Sequence, residues 1–199
     1  ANTGTGKMEK QVHTYDVAQK LTKNTFIKTG YTFKGWATAK SLEEIKNSET
    51  TGTKTATGVV YKDEEEIKNI TTTPNDEITL YAVWQDETAP VLTAKGKATT
   101  KTITVSVTAT EQGSGLKGTY KYYIGTKENG TITYKEPIEE TKTTHTFEGL
   151  KENTQYYIKV EAEDKAGNVG TAEETEISTT QLQGEVTYTD DYWSNGKYI

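Results

Sequence analysis

The chain has 199 residues with a formal net charge of −6, and all 23 of its basic residues are Lys. Without Arg, and with this acidic balance, it lacks the bidentate base-reading side chain and the positive surface of a nucleic-acid binder, so no nucleic-acid partner is expected. It also contains no Cys, which permits secretion but requires stability from packing or from non-disulfide links.

Thr is the most frequent residue type, and 13 Tyr and 3 Trp accompany it. Thr is β-branched and suits a half-solvated pleated sheet, so the composition favours a mainly β protein. No apolar run approaches the length of a bilayer span or of a signal-peptide core. No membrane insertion is expected for this segment, and any export signal is expected to lie outside it.

The first predicted domain comprises residues 1–85 and mixes strands with one or two short helices. A helical turn is predicted at 16–21 and a strand at 31–36 (YTFKGW). A capping box of Ser41 and Glu44 predicts a short helix. Further strands are predicted at 59–61 and at 78–84 (ITLYAVW). The polar stretch QDETAP, which ends at Pro90, then marks a domain boundary.

The second predicted domain, residues 86–180, alternates apolar and polar side chains with a period of two, as strands with one dry face do. Turns are predicted at EQGSG (111–115), ENG (128–130) and DKAGN (164–168). About seven short strands at this spacing indicate a Greek-key sandwich. The explicit strand predictions are residues 103–109, 119–124, 131–135, 143–147, 156–162 and 171–178. Residues 181–199, with a strand-like VTYT, are expected to begin a further β module or tail.

The motifs LTKNTF, GYTFKGWAT, VVYKD and the closing ITLYAVW lie in this order in the first domain. With them the segment resembles the internalin-type B repeat of surface proteins from Gram-positive and some other bacteria. The resemblance implies a small β-grasp-like α+β module. Trp36 and Trp84 lie within its motifs, where packing in the core is expected and a sugar-stacking platform is the alternative. Relative to the family, the first strand of this copy is expected to be missing.

The motifs LKENTQY and YIKVEAEDKAGN are similar to those of fibronectin type III and related bacterial immunoglobulin-like modules. The resemblance implies a seven-stranded immunoglobulin-like β-sandwich in which Leu150 and Tyr156 are structural. The Tyr156 hydroxyl would bond to nearby backbone and fix the corner between two strands. Val107 stands where the family often has Trp, and Glu152 where it often has Pro, which leaves the subfamily open.

Catalytic chemistry finds little support in the sequence. Only His13 and His145 could act as imidazole bases, one in each domain, and His145 shares strand parity with Phe147, which predicts a half-buried strand residue. No two-His motif or Cys offers a transition-metal site. The acidic run at 63–66 is typical of a solvated turn. We therefore predict no catalytic residue, no cofactor-binding residue and no enzymatic activity; an enzyme would instead require a deep polar pocket with a perturbed carboxylate.

Three tyrosines are candidates for surface recognition of a glycan or protein. Tyr123 and Tyr157 fall out of phase with the dry faces of their strands and are predicted to be exposed, and Tyr134 is a third candidate. Single exposed aromatic residues are nevertheless normal on protein surfaces.

One pole of the predicted sandwich gathers oxygen ligands from the linker and two loops. Converging oxygens suit Ca²⁺, which takes six to eight of them. The candidate metal residues are Asp86, Glu87, Glu111, Asp164 and Asn168, with ordinary turn chemistry as the alternative. A Lys–Asn or Lys–Asp isopeptide link is a separate possibility for stabilising the chain.

The sequence therefore predicts a non-enzymatic, extracellular module pair of a bacterial cell-surface or secreted protein, with an adhesion or spacer role. The alternative is an accessory or carbohydrate-binding region of a secreted glycan-active enzyme. The expected partner is an unidentified host or matrix protein or a glycan, and the chain is expected to be a monomer.

Overall fold

The computed structural model describes residues 4–38, 61–172, 175–184, 193–194 and 197–198. Over these ranges the chain forms β-strands and no helix, which confirms the mainly β class. No helix long and apolar enough to cross a membrane occurs in this part of the chain. The helix predicted from Ser41 and Glu44, and the strand-like residues 186–189, lie outside the described residues.

Four short strands form two antiparallel pairs in the first segment. Strand β1 (Gln19–Lys20) pairs with β3 (Glu66–Ile67), and β2 (Thr32–Ala37) pairs with β4 (Tyr81–Gln85). The strands predicted at 31–36 and 78–84 are therefore confirmed with shifted ends. Trp36 also bridges Tyr61, the one described residue of the strand predicted at 59–61.

The helical turn predicted at 16–21 is wrong. Asp16 has a φ of 63°, in the left-handed region, which a right-handed helix cannot contain. Gln19 and Lys20 then pair with Ile67 and Glu66, so their backbone belongs to an antiparallel strand pair and not to a helical turn. Pairing with a distant strand overrides the weak local helix pattern.

Aromatic side chains fill the core of the first segment. Trp36 is 5% exposed, and the ring of Phe33 meets it edge-on at a centroid distance of 5.0 Å. Phe33 also meets Trp84 at 5.5 Å. A bulge separates Phe33 from Gly35, whose φ of 140° favours glycine. The GYTFKGW motif thus provides both the packed rings and the residue that allows the bend between them.

Nine strands between residues 91 and 178 form a two-sheet sandwich. They are β5 (Val91–Ala98), β6 (Ile103–Thr110), β7 (Leu116–Glu128), β8 (Thr131–Tyr134), β9 (Ile138–Glu140), β10 (Thr144–Phe147), β11 (Gln155–Asp164), β12 (Val169–Thr171) and β13 (Thr175–Ser178). Strands β5 and β9 lie outside the explicitly predicted segments, and the others overlap them.

The sheets have the strand order of a fibronectin type III-like sandwich. One sheet has the order β10-β6-β5. In the other, β11 and β7 are central, β12 and β13 pair with successive parts of β11, and β8 and β9 pair with successive parts of β7. Every pairing is antiparallel. The predicted turn at Asn129-Gly130 closes the β7–β8 hairpin with positive φ at both residues, as a two-residue hairpin turn requires.

The sandwich core lies between the two sheets. Ile103 and Val105 of β6, Tyr122 of β7, and Ile158 and Val160 of β11 are fully buried. On the outer face of the smaller sheet, hydroxyls pair across the strands: Thr93 with Thr108 at 2.6 Å, Thr104 with Thr146 at 3.0 Å, and Ser106 with Thr144 at 3.5 Å. Along these strands the apolar side chains therefore face the core and the hydroxyl side chains face outward.

In the tail, β14 (Trp193–Ser194) pairs with β15 (Lys197–Tyr198).

Candidate metal site

Three carboxylates meet at the pole where the first segment joins the sandwich. Asp86 follows β4 directly, Glu111 follows β6, and Asp164 is the last residue of β11. One ligand oxygen from each of the three lies within 4.8 Å of the others. Antiparallel pairing brings these strand ends to one side, so the structure assembles three of the five predicted ligands from three separate parts of the chain.

Asp86 is inserted into the sandwich although it belongs to the linker. It is 4% exposed, and its carboxylate accepts bonds from the Thr88 N–H at 3.0 Å and the Ser114 N–H at 2.6 Å. A Cβ on Gly113 would overlap the Asp86 carboxylate, so the EQGSG loop needs glycine to cross it. Burial raises the pKa of Asp86, but the hydrogen bonds outweigh burial and hold that pKa below its usual value.

Asp164 is completely buried and is oriented by Asn168. The Asn168 backbone N–H donates to Oδ1 at 2.8 Å, and its amide Nδ2 donates to Oδ2 at 2.7 Å. The same Nδ2 donates to the Asp86 carbonyl at 3.2 Å. Asn168, predicted as a ligand, therefore acts here as a donor that positions Asp164 against the linker.

Glu111 completes the cluster and leaves one oxygen without a partner. Its Oε1 accepts the Gly113 N–H at 2.6 Å, whereas its Oε2 is buried and has no hydrogen bond. Within the described ranges no Lys or His forms an ion pair with Asp86, Glu111 or Asp164. Two unit charges 4.8 Å apart repel by about 3.5 kcal/mol at an effective dielectric constant near 20, so the bare cluster is electrostatically unfavourable.

Glu87, the remaining predicted ligand, points elsewhere. Its Oε1 lies 2.5 Å from Lys34 Nζ on β2, and that hydrogen bond lowers the pKa of Glu87. The side chains of adjacent residues in an extended linker point to opposite sides. The Asp86 side chain therefore points into the sandwich, and the Glu87 side chain points to the first segment. Sequence reasoning missed Lys34 because its contact depends on how the segments pack.

The predicted structural residues lie as follows. The Lys151 N–H donates to Tyr156 Oη at 3.0 Å, which is the corner contact implied by the family resemblance. Leu150 packs against the sandwich core. Trp84 packs, partly buried, on the cluster around Trp36.

The outer sheet face does not present the predicted open tyrosines. Tyr157 is only 6% exposed, which corrects the prediction for it. It pairs with Gly125, which has no side chain, and Lys127 Nζ lies 5.7 Å from its ring centroid. Tyr123 is half-buried: its hydroxyl donates to Glu161 at 2.7 Å, and Lys159 Nζ lies 4.0 Å from its ring centroid. The ring of half-buried Tyr134 lies 6.0 Å from that of Tyr123.

Tyr123 gives a prediction for alkaline stability. Burial and the bond to Glu161 raise its pKa to about 12 from the usual 10. Because the folded-state value is the higher one, the resulting stability is fully present below pH 10 and is lost as the pH rises towards 12. Burial also raises the pKa of Tyr122 to about 12, so tyrosinate absorbance at 295 nm should show a late-ionising component from both residues. Tyr123→Phe should reduce this component and leave the share of Tyr122. Exposed Tyr15 is the control: in Tyr15→Phe the late component should persist.

His145 contacts neighbouring side chains of the sandwich. His145 Nδ1 lies 3.0 Å from Glu140 Oε1, and its ring is 4.5 Å from that of Phe147. A cavity of about 360 Å³ spans the two segments. Its lining residues, none of them acidic or His among those described, are Thr5, Ile27, Lys28, Thr29, Tyr31, Gln112 and Gly113. No Lys is buried within the described ranges, and the Lys–Asn or Lys–Asp isopeptide link stays a prediction.

Comparison with known proteins gives one sequence relative and a set of similar folds. No family model matches the chain. Chitinase A1 of Niallia circulans is 40% identical over 88 residues, which are 44% of this chain and 11% of the chitinase, so the match spans about a tenth of that protein.

Solved structures with a similar fold include the sixth fibronectin type III domain of a human fibronectin type III domain containing protein. It has a TM-score of 0.38 and 16% identity, and the match covers 48% of this chain and 89% of that one. Domains d3–d4 of the rat CD45 extracellular region have a TM-score of 0.44 and 12% identity, with coverage of 90% and 79%. These scores are below 0.5, so the fibronectin type III-like fold rests on the strand pairings given above.

Proposed function

We propose that the chain is a non-catalytic spacer in a longer extracellular bacterial protein, with residues 1–85 and 86–180 as two modules joined end to end. The observation that carries this proposal is the junction. Asp86 leaves β4 and is at once buried among the sandwich loops, while Glu87 pairs with Lys34 of the first module. Because the linker is held at both modules, few free backbone torsions remain between them, which restricts bending as a spacer requires.

The division into two modules is supported by separate cores. One cluster contains Leu21, Trp36, Ile67 and Ala82, and the other lies entirely among residues 92–177. We propose the first module as an internalin-type B repeat. In support, β2 and β4, which overlap the motifs GYTFKGWAT and ITLYAVW, pair with each other and place Phe33 opposite Trp84.

A second candidate is an accessory region of a secreted glycan-active enzyme. The 40% identity to part of a chitinase favours it. Against a sugar-stacking face, Tyr123 is capped by Lys159 and Tyr157 is buried, so neither ring offers an open flat surface.

Binding assays distinguish these roles. The purified chain would be applied to chitin and cellulose beads and to surfaces coated with fibronectin or collagen, with serum albumin as the reference. A spacer should be retained no more than albumin on every support. Saturable retention on chitin or cellulose would replace the proposal with the accessory role, and saturable binding to a matrix protein would replace it with adhesion.

A further inference from the structure

The carboxylate cluster concentrates negative charge where the structure supplies no balancing cation. Asp86 and Asp164 are 4% and 0% exposed, and neither carboxylate is ion-paired with a described Lys or His. Buried charges in proteins are paired or coordinate metal ions. The three side chains come from the linker, from the loop after β6 and from the end of β11, so they do not belong to a single turn whose own geometry would explain them.

A second observation concerns the unused oxygen of Glu111. Both oxygens of Asp86, both of Asp164 and Oε1 of Glu111 each accept a hydrogen bond. Glu111 itself is partly buried, but its Oε2 atom is buried and accepts none from the described residues. Buried polar atoms nearly always have a partner, so this oxygen indicates a group that the protein itself does not provide.

The donor chemistry selects the class of ligand. All three candidate side chains offer carboxylate oxygen, and neither Cys nor His takes part. Oxygen-only sites suit hard cations. Ca²⁺ accepts flexible arrangements of six to eight oxygens, whereas Mg²⁺ requires near-octahedral geometry and gives up water reluctantly. Loops and a linker that converge from three directions favour the more tolerant ion.

We infer that Asp86, Glu111 and Asp164 bind one Ca²⁺ ion, which ties the linker to the loop after β6 and to the end of β11 at this pole of the sandwich. The bound ion neutralises the repulsion within the cluster and uses the free oxygen of Glu111. It fixes Asp86, and with it the exit from β4, to the sandwich. The inference does not depend on whether the chain is a spacer or an enzyme accessory.

Calcium titration of the whole chain tests this inference. Isothermal titration calorimetry after chelator treatment should show one site, and extracellular modules bind Ca²⁺ with a Kd on the order of 0.1–1 mM. About 10 mM CaCl₂ should raise the Tm of the sandwich by about 5 °C or more relative to chelator, with a smaller rise in MgCl₂. Equal Tm values in calcium and chelator would overturn the inference, whatever any variant does.

The variant Glu111→Gln separates metal binding from a structural role. In chelator its Tm should equal or exceed that of the unaltered chain, because one of three repelling charges is gone. In calcium it should lose most of the Tm rise, with Kd weakened at least tenfold. The control is Glu128→Gln, at the far end of β7 and exposed, which should keep the full calcium response. If Glu111→Gln lowers Tm equally in calcium and chelator, Glu111 is structural and the inference fails.

Discussion

Replacing Ile158 with Ala should lower the free energy of unfolding of the sandwich by about 2–5 kcal/mol. Ile158 is fully buried at the centre of β11, where it pairs with Ile124 on one side and Thr175 on the other. Its removal leaves a cavity that both sheets border, and strands paired on each side cannot easily collapse into it. Urea unfolding followed by circular dichroism measures the change.

The matched control is Ile138→Ala in the same sandwich. Ile138 lies on β9 and is 43% exposed, so the same loss of atoms should cost less than about 1 kcal/mol. If the two variants lose similar stability, the core does not lie between the sheets as described.

The second large effect is expected from Gly170→Ala. A Cβ at Gly170 would overlap the Pro90 carbonyl oxygen and lie 2.9 Å from Leu92 Cδ1. A Gly→Ala change at an unstrained site usually stabilises by about 0.4–1 kcal/mol through the unfolded chain. Here we expect a loss of about 1–3 kcal/mol, because β12 and the linker backbone must separate.

Gly184→Ala provides the comparison, because a Cβ added at Gly184 would have no atom within 4 Å and the φ of this residue is ordinary. Its stability should change by no more than about 0.5 kcal/mol. Thermal and urea unfolding measure the change in stability of both variants, and the loss in Gly170→Ala should clearly exceed any change in Gly184→Ala. A stabilising Gly170→Ala would mean that the linker does not pack on β12.

Strands with strong alternation could be predicted from the sequence, and those with small inward residues could not. In β6, Ile103, Val105 and Val107 mark the dry face directly. In β5 the inward positions after Leu92 are Ala94, Gly96 and Ala98, whose small side chains give little contrast with their neighbours. Strand β9 has three residues and becomes a strand only by pairing with β7.

The candidate site shows the same division. Asp86, Glu111 and Asp164 could be assigned to one pole from the sequence because strand order dictates which loops meet. Which carboxylate turns inward depends on packing, so Glu87 against Lys34 and the donor role of Asn168 could not be inferred from the turns alone. Burial of Tyr157 likewise depends on its pairing with Gly125, which lies about thirty residues earlier in the chain.

The hydroxyl pairs on the smaller sheet have a consequence for the conditions that the protein tolerates. Along the seam between β6 and β10, the outward side chains are Thr104, Ser106, Thr144 and Thr146, and none of them ionises between mildly acidic and mildly alkaline solution. Dissolved ions have no charge to screen there. The stability that these hydroxyl pairs contribute should therefore be the same in fresh water and in brine.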